Sequence, residues 1–195
     1  MFNRRYDKIR VGIDLDNVIW DLTTPWLERF NHITGDWLKP EDITTYDITE
    51  HMHKGNADIL YYILEQSDFW DNVKPYDGVY ETLRDFNRNF DVYIVTSTSY
   101  KIASRKLSRF LDLFPFMCYN QIITCHNKQM INVDWMIDDY EKNLVNGNFN
   151  KVLIDQPYNK DFLLDMWKLC EDKKWHFIRA TNLRDAYDKI NTIMV

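Results

Sequence analysis

The length, composition and charge of this chain restrict it to a few classes of protein. Its 195 residues suit one domain, or one core with a modest insertion, and a hydrophobic content of 45% provides for a packed core and excludes general disorder. A net charge of -6 argues against a protein that binds duplex DNA, because such a protein needs a basic face.

Cysteine usage and hydropathy indicate the cellular compartment. The three cysteines show no CxxC spacing, so neither a disulfide framework nor a zinc site is indicated. No apolar run approaches the length of a membrane span, and the basic residues 1–8 lack the apolar stretch of a signal peptide. We therefore expect a cytoplasmic protein without a membrane partner.

The first part of the chain predicts a buried strand followed by a helical insertion. Apolar, largely β-branched residues alternate from Ile9 to Leu15, a pattern typical of a strand. Apolar residues at helical spacing predict helices at residues 24–33 and 57–66. Residues 17–76 are accordingly interpreted as a small, aromatic-rich helical cap inserted after the first strand.

The rest of the chain predicts strands that alternate with helices. Strands are predicted at residues 91–95, 121–124, 133–137 and 152–154, with a possible edge strand at 177–178; helices are predicted from residue 79, at 100–113 with a basic face, at 161–170 and at 183–193. This alternation predicts an α/β fold with a three-layer, doubly wound parallel sheet. Its core would comprise residues 1–16 and 77–195.

Two carboxylates, Asp14 and Asp16, follow the first strand directly. Side chains two residues apart in an extended segment point the same way, so both acids should face one small volume. Catalytic sites of open α/β sheets lie at the carboxyl ends of the strands. Two acids this close either share a proton or bind a cation, which indicates chemistry, although a lone Asp-x-Asp is weak evidence.

Three later motifs have the same placement after a predicted strand. Thr96 with Ser97 precedes a helix and offers hydroxyl donors to an anion, Lys128 follows the third strand, and Asp138 with Asp139 ends the fourth. Taken singly, the hydroxyl pair also fits a helix cap, Lys128 an exposed loop lysine, and the two acids a solvated turn. Their order along the chain favours one shared site over these separate interpretations.

The motifs resemble those of the haloacid dehalogenase-like phosphatases, and most closely the 5'(3')-deoxyribonucleotidases. The resemblance covers roughly residues 8–160 and rests on the following segments: Asp-Leu-Asp-Asn-Val-Ile-Trp-Asp at 14–21, Val-Lys-Pro-Tyr-Asp-Gly at 73–78, Thr96–Ser97, Lys128, Ile-Asp-Asp at 137–139, and Ile-Asp-Gln-Pro-Tyr-Asn at 154–159. The chain departs from many relatives at Asn17, where they carry Gly, and at His126–Asn127, where they carry Arg-Asp. These departures put substrate preference in doubt.

The resemblance implies a Rossmann-type core with a helical cap and a magnesium-dependent phosphatase reaction. Asp14 would attack phosphorus to give an aspartyl-phosphate, and Asp16 would serve as general acid and then base. Thr96, Ser97 and Lys128 would hold the phosphoryl group. Mg²⁺ would be bound by Asp14, Asp138 and the backbone carbonyl of Asp16. Asp139 would coordinate through water or orient a neighbour, and a homodimer is possible.

Aromatic side chains of the predicted cap are candidates for a nucleobase pocket, because stacking tolerates any base. The candidates are Trp20, Trp26, Phe69 and Trp70, with Phe30 and Trp37 as further possibilities. The alternative for each residue is that it packs in the small core of the cap itself. The favoured substrate is thus a small-molecule nucleotide. Another phosphate ester, such as a sugar phosphate or a nucleic-acid 3'-phosphate end, and a non-catalytic binding module on the same fold are the alternatives.

Overall fold

The computed structural model describes residues 8–162 and 175–194. Its strands, in chain order, are β1 Arg10–Ile13, β2 Trp20–Asp21, β3 Lys74–Pro75, β4 Asp91–Thr96, β5 Ile122–Thr124, β6 Trp135–Asp138, β7 Asn150–Ile154 and β8 Phe177–Ala180. Six of them form one sheet in the order β5-β4-β1-β6-β7-β8, and every neighbouring pair is parallel. The parallel sheet predicted from the sequence is therefore confirmed, with β8 at its edge.

The helices are α1 Thr23–Thr34, α2 Ala57–Glu65, α3 Phe69–Asn72, α4 Val79–Asn89, α5 Ala103–Leu113, α6 Glu141–Leu144 and α7 Leu183–Met194. Alternate residues of the strands enter two apolar clusters: Ile94 and Ile137 belong to one, and Val95 and Met136 to the other. Because helices cover both faces, the central strands are apolar on both sides, as the three-layer prediction requires. The helix predicted at 161–170 lies largely outside the described residues.

The central strand β1 positions the first acidic turn. Val11 pairs with Val92 on one side and with Trp135 on the other, so that β1 is held between β4 and β6. A Cβ atom on Gly12 would lie 2.9 Å from the sulfur of Met136 and 3.2 Å from Val95 Cγ2. Glycine thus leaves room for the close approach of these neighbouring side chains, and a larger residue would require the end of Met136 to shift.

Helices α1, α2 and α3 lie between β2 and β3, which pair antiparallel and bring the two ends of this inserted segment, residues 22–73, together. The three helices pack on one another and bury residues such as Leu27, Phe30 and Ile63. The same apolar cluster continues into the sheet, so the division into a core and a cap at 17–76 stays a prediction. Among the described residues, no helix is both long enough and apolar enough to cross a membrane.

Candidate active site

Polar side chains from three neighbouring strands converge at the carboxyl edge of the sheet. Asp14 follows β1, Thr96 ends β4 and Asp138 ends β6, while Lys128 begins a 3-10 turn after β5. A cavity of about 960 Å³ opens here, and its lining comes both from this edge and from the inserted segment. The structure thus brings the acidic motifs and Lys128 together at the edge that the sequence predicts.

Lys128 links the acids of the two acidic turns. Its ammonium lies 2.7 Å from Asp14 Oδ1 and 2.7 Å from Asp138 Oδ2, and the whole side chain is 1% exposed. Burial opposes the charge of Lys128, but the carboxylates of Asp138 and Asp14 outweigh it and raise the lysine pKa above its ordinary value. An exposed loop lysine, the simpler interpretation of this residue, is therefore wrong.

Asp14 lies in an environment that makes its charge costly. Burial raises its pKa to about 7, with Lys128 opposing this shift and the charges of Asp138 and Asp16 adding to it. The backbone N–H of Asp14 donates to the carbonyl of Ile137 at 2.9 Å, which fixes the turn against β6. A buried carboxylate beside one cation is poorly solvated and fixed in direction, which suits a nucleophile.

Asp14, Asp138 and Asp139 form a buried group that is suited to a divalent cation, and these three acids are called the cation group from here on. One carboxylate oxygen of each lies within 4.8 Å of the others. The oxygens around a bound Mg²⁺ lie up to about 4 Å apart, so only a small movement is needed to fit the ion. Burial, and then the charges of Asp138 and Asp14, raises the pKa of Asp139 well above its usual range.

Hydrogen bonds fix the second acidic turn. Asp138 Oδ1 accepts from the backbone N–H of Tyr140 at 2.9 Å and from Asn143 at 3.0 Å, while Oδ2 faces Lys128. Among the described residues, the cation group also includes Asp139, which the sequence predicts only to coordinate through water or to orient a neighbour. The carboxylate of Asp16 is not in the group, and a contribution from its backbone carbonyl stays a prediction.

Asp16 contacts two side chains, those of Trp20 and Lys106, which the sequence does not predict as its partners. The indole N–H of Trp20 donates to Asp16 Oδ1 at 2.9 Å, and Lys106 forms an ion pair with Oδ2. Lys106 also donates to the hydroxyl of Thr96 at 2.9 Å and to the carbonyl of Ser97 at 3.2 Å. Both oxygens of Asp16 are therefore oriented, although a quarter of its side chain remains exposed toward the cavity.

Lys106 is a site residue that the sequence pattern could have revealed. It lies on α5 four residues before Phe110 and four after Ile102, so it occupies the buried stripe of that helix. The lysine is 1% exposed, unlike the other basic residues of the same helix. A lysine within an apolar stripe is the signal, because a buried ammonium requires buried acceptors.

The two predicted hydroxyl residues are placed differently. Thr96 is fully buried and lies behind the cavity wall, where its hydroxyl accepts from Lys106. Ser97 is exposed and lines the cavity, and its hydroxyl lies 3.2 Å from Nδ1 of His126. Ser97 is therefore the hydroxyl of this pair that reaches the cavity directly.

Only two of the four predicted aromatic pocket residues line the cavity. Trp26 and Trp70 do, and their indole N–H groups are fixed on the carbonyls of Leu60 and Leu64 at 2.8 and 2.9 Å. Trp20 and Phe69 are buried outside the lining, where both pack on Trp70. Of the two further candidates, Phe30 is buried and Trp37 is exposed on the surface, stacked on His53.

The inserted segment also contributes aromatic residues that the sequence analysis missed. Tyr61 of α2 and Tyr46 of the connection before α2 both line the cavity. Tyr46 stacks on Tyr140, beside the acidic turn, with ring centroids 3.6 Å apart. Because Tyr46 lies in an irregular connection, no periodic pattern marks it in the sequence.

The fold and this group of acids and lysines define a hydrolase of the haloacid dehalogenase-like class. A hydrolase of that class from Burkholderia xenovorans superposes with a TM-score of 0.61 over 96% of this chain and 99% of its own, at 12% identity. A hydrolase of the class from Bacillus subtilis, solved with magnesium bound, gives 0.57 over 94% and 99%, at 14% identity. At these identities the likeness concerns the fold.

Sequence comparison gives the family. The family model described as "5' nucleotidase, deoxy (Pyrimidine), cytosolic type C protein" matches residues 7–191. A 5'(3')-deoxyribonucleotidase of Clostridium acetobutylicum is 36% identical over 79% of this chain and 86% of its own, and one of Bacillus subtilis is 30% identical over 77% and 87%. The chain belongs to this deoxyribonucleotidase family, and it is accordingly a phosphoric monoester hydrolase.

Proposed function

We propose that the protein is a Mg²⁺-dependent phosphatase that hydrolyses deoxyribonucleoside monophosphates to nucleoside and phosphate. The observation that carries this proposal is the composition of one cavity, which is lined by acids and lysines from the sheet edge and by Trp26, Trp70 and Tyr61 from the inserted segment. The charged groups suit a phosphate group, while the aromatic side chains suit a base. The names of the two bacterial relatives support the same substrate class.

In the first half of the proposed reaction, an oxygen of Asp14 forms a bond to phosphorus and the bond to the leaving ribose oxygen breaks. Asp16, which must enter this step in its protonated form, donates a proton to that leaving oxygen, so the nucleoside departs as an alcohol and Asp16 is left as a carboxylate. Lys128 lies 2.7 Å from Asp14, where it offsets the charge that collects on the phosphoryl oxygens.

In the second half, water attacks the aspartyl-phosphate. Asp16 takes a proton from this water, the bond between Asp14 and phosphorus breaks, and free Asp14 and phosphate result. Asp16 faces the cavity and is held at both oxygens by Trp20 and Lys106, so it can serve in both halves without turning. A Mg²⁺ ion bound by Asp14, Asp138 and Asp139 would supply positive charge beside the phosphoryl oxygens.

Discrimination between substrates would fall mainly to the inserted segment, because the acids and lysines at the sheet edge suit phosphate and metal and do not distinguish one base from another. A base stacked on one aromatic ring contributes about 1–3 kcal/mol. Trp26 and Trp70 are held in fixed orientations by hydrogen bonds to α2 and to its end, so little entropy is lost when a base stacks on them.

A phosphate-release screen tests the proposal. It would compare the common deoxyribonucleoside and ribonucleoside 5'- and 3'-monophosphates with a sugar phosphate and p-nitrophenyl phosphate, each with Mg²⁺ and with a chelator. We expect Mg²⁺-dependent release that is fastest with a deoxyribonucleotide. An Asp14→Asn variant should fold normally and show no turnover, because an amide is a poor nucleophile. Near-normal activity of that variant, or a preference for the sugar phosphate, would contradict the proposal.

A further inference from the structure

The Gln-Pro-Tyr-Asn segment at residues 156–159 contacts both acidic turns, although the proposed reaction assigns it no step. The amide of Gln156 donates to the carbonyl of Asn17 at 2.8 Å, and the amide of Asn159 donates to the carbonyl of Asp139 at 2.8 Å. Arg179 of β8 in turn donates to the side chain of Asn159 at 2.9 Å. The segment is thus anchored to the sheet and holds the two turns at a fixed separation.

Tyr158 lies between these turns, and its hydroxyl has a defined polarity. The Oδ1 atom of Asn17 accepts from the backbone N–H groups of Leu22 and Thr23, which can only donate. The amide nitrogen of Asn17 must therefore face Tyr158, and it donates to the phenol oxygen at 3.2 Å. A phenol carries one proton, so that proton is directed to Asp139, whose Oδ2 accepts it.

We infer that Tyr158 is a positioning residue of the cation group, through a hydrogen-bond chain from Asn17 to Asp139. Asp139 is 3% exposed and lies beside Asp14 and Asp138, so in the metal-free protein repulsion favours rotation of its carboxylate away from them. The hydroxyl of Tyr158 prevents that rotation and keeps Asp139 beside its two partners. Such outer partners fix the orientation of metal ligands. This inference rests on the metal site of the proposed function.

A direct binding measurement tests this role without substrate. Mn²⁺, a spectroscopic substitute for Mg²⁺, would be titrated into wild type and into Tyr158→Phe and followed by electron paramagnetic resonance. The phenylalanine keeps the ring, including its edge contact with Tyr46, and removes only the hydroxyl. We expect Mn²⁺ to bind about 10–100-fold more weakly. In the matched control, Tyr187→Phe, the lost hydroxyl accepts from Asn89 far from the site, and Mn²⁺ affinity should stay unchanged.

A double variant separates positioning from a general loss of structure. If Tyr158 acts through Asp139, then Asp139→Asn combined with Tyr158→Phe should bind Mn²⁺ no more weakly than Asp139→Asn alone. Unchanged affinity in Tyr158→Phe, or a further loss of equal size in the double variant, would overturn the inference. Because the measurement needs no substrate, it would show whether Tyr158 affects Mn²⁺ affinity even if the protein fails to hydrolyse nucleotides.

Discussion

Lys106 donates from one buried ammonium group to Asp16, to Thr96 and to the carbonyl of Ser97, and it thereby joins the first acidic turn to the end of β4. Burying an ammonium group is costly unless each of its protons finds an acceptor, and here three acceptors are present. In return, the lysine fixes one oxygen of Asp16. Its proposed contribution to the reaction is therefore to orient the general acid.

Replacing Lys106 with Met tests that contribution. The substitution keeps the length and apolar stem of the side chain but removes the ion pair, which leaves Asp16 oriented by Trp20 alone. We expect kcat to fall by about 100-fold with little change in KM, because a misplaced acid affects the transition state more than substrate binding. Steady-state kinetics with the best nucleotide of the screen would measure this.

The matched control for that variant is Lys101→Met, which removes a surface ion pair with Glu65 just before the same helix. Exposed pairs of this kind contribute little to stability, so the control should behave like wild type. Equal kcat values for the two variants would show that Lys106 does not orient Asp16 during turnover.

Asn17 shows how far single residues are predictable. Its φ of 55° lies in the left-handed region, where Gly is usual and Asn is the next most tolerant residue, so Asn17 can form this turn with little strain. Asp14 and Asp138 are predictable because each lies at the end of a buried strand, and Lys128 because it comes in order between them, shortly after a predicted strand. The apolar stripe of α5 indicates that Lys106 is buried, but the partners of Lys106 and of Tyr158 lie in distant parts of the chain, and no local pattern specifies what a side chain meets across the fold.

At the scale of elements, the inserted segment has its own polar anchor. Asp36, which follows α1, accepts from the backbone N–H groups of Trp37, His53 and Lys54 at 2.8 to 2.9 Å. Burial alone would raise the pKa of Asp36, but these donors, with the ring of His53, outweigh it and lower the pKa to about 2. The ionised carboxylate thus ties the end of α1 to the connection before α2.

This anchor predicts a pH-dependent contribution to stability. The folded pKa of about 2 lies below the reference value of 3.8, so the contribution is complete above pH 3.8 and is lost as the pH falls toward 2. Asp36→Asn should lower the free energy of unfolding by about 2 kcal/mol at pH 7. Urea unfolding of wild type and of Asp36→Asn between pH 7 and pH 3 would measure their difference in free energy of unfolding, which should become smaller below pH 4.

The exposed Asp112 on α5 offers a control for this experiment, since Asp112→Asn also removes one carboxylate. That variant should unfold like wild type at each pH. A difference between Asp36→Asn and wild type that stays constant down to pH 3 would mean that the asparagine disturbs packing, and that the charge of Asp36 contributes nothing.

The inserted segment also carries the prediction on specificity. Trp26→Ala should lower kcat/KM for a deoxyribonucleoside monophosphate by up to about a hundredfold, because about 1–3 kcal/mol of base stacking is lost. For p-nitrophenyl phosphate, which has no base, the loss should be much smaller. Trp37→Ala serves as the control, because Trp37 is 58% exposed and does not line the cavity. Equal losses on both substrates would show that Trp26 only supports the segment.

The elements themselves are predictable to different degrees. Buried strands such as β4 and β7 were predictable because continuous apolar runs between turn residues have few alternatives. The pair β2 and β3 was not, since strands of two residues show no periodicity and depend on pairing across 52 intervening residues. The sequence also does not predict which aromatic residues face the cavity. Trp20 and Trp70 are both tryptophans of the predicted cap, and only their tertiary packing places one of them in the cavity lining.

For the whole molecule, the cation group connects two neighbouring strands of the sheet. Asp14 follows β1, while Asp138 and Asp139 come from the end of β6, so an ion bound by all three would bridge these strands at their carboxyl ends. Lys128 is the one cation that contacts two members of the group among the described residues. Three acids thus share one lysine, and a divalent cation would stabilise their ionised forms together.

We accordingly expect Mg²⁺ to stabilise the fold. At a concentration one hundred times its Kd, a ligand that binds only the folded state adds about 2.7 kcal/mol, or roughly 5–10 °C in Tm for a chain of this size. Asp138→Asn should lose most of this increase. The amide can keep the hydrogen bonds from Tyr140 and Asn143 through its oxygen, but it removes a charged ligand. Thermal unfolding with Mg²⁺ and with a chelator, at matched ionic strength, would measure the effect.

Asp188→Asn on α7 is the control, because it removes an exposed carboxylate outside the cation group and should keep the full increase. The metal-free Asp138→Asn protein is informative as well. Its amide nitrogen would face the ammonium of Lys128 in place of a carboxylate oxygen, so its Tm without metal should lie below that of wild type, and the Mg²⁺-dependent increase is compared within each protein. If Asp138→Asn instead keeps the Mg²⁺-dependent increase, the ion does not bind at the ends of β1 and β6, and the acids of the cation group have been assigned wrongly.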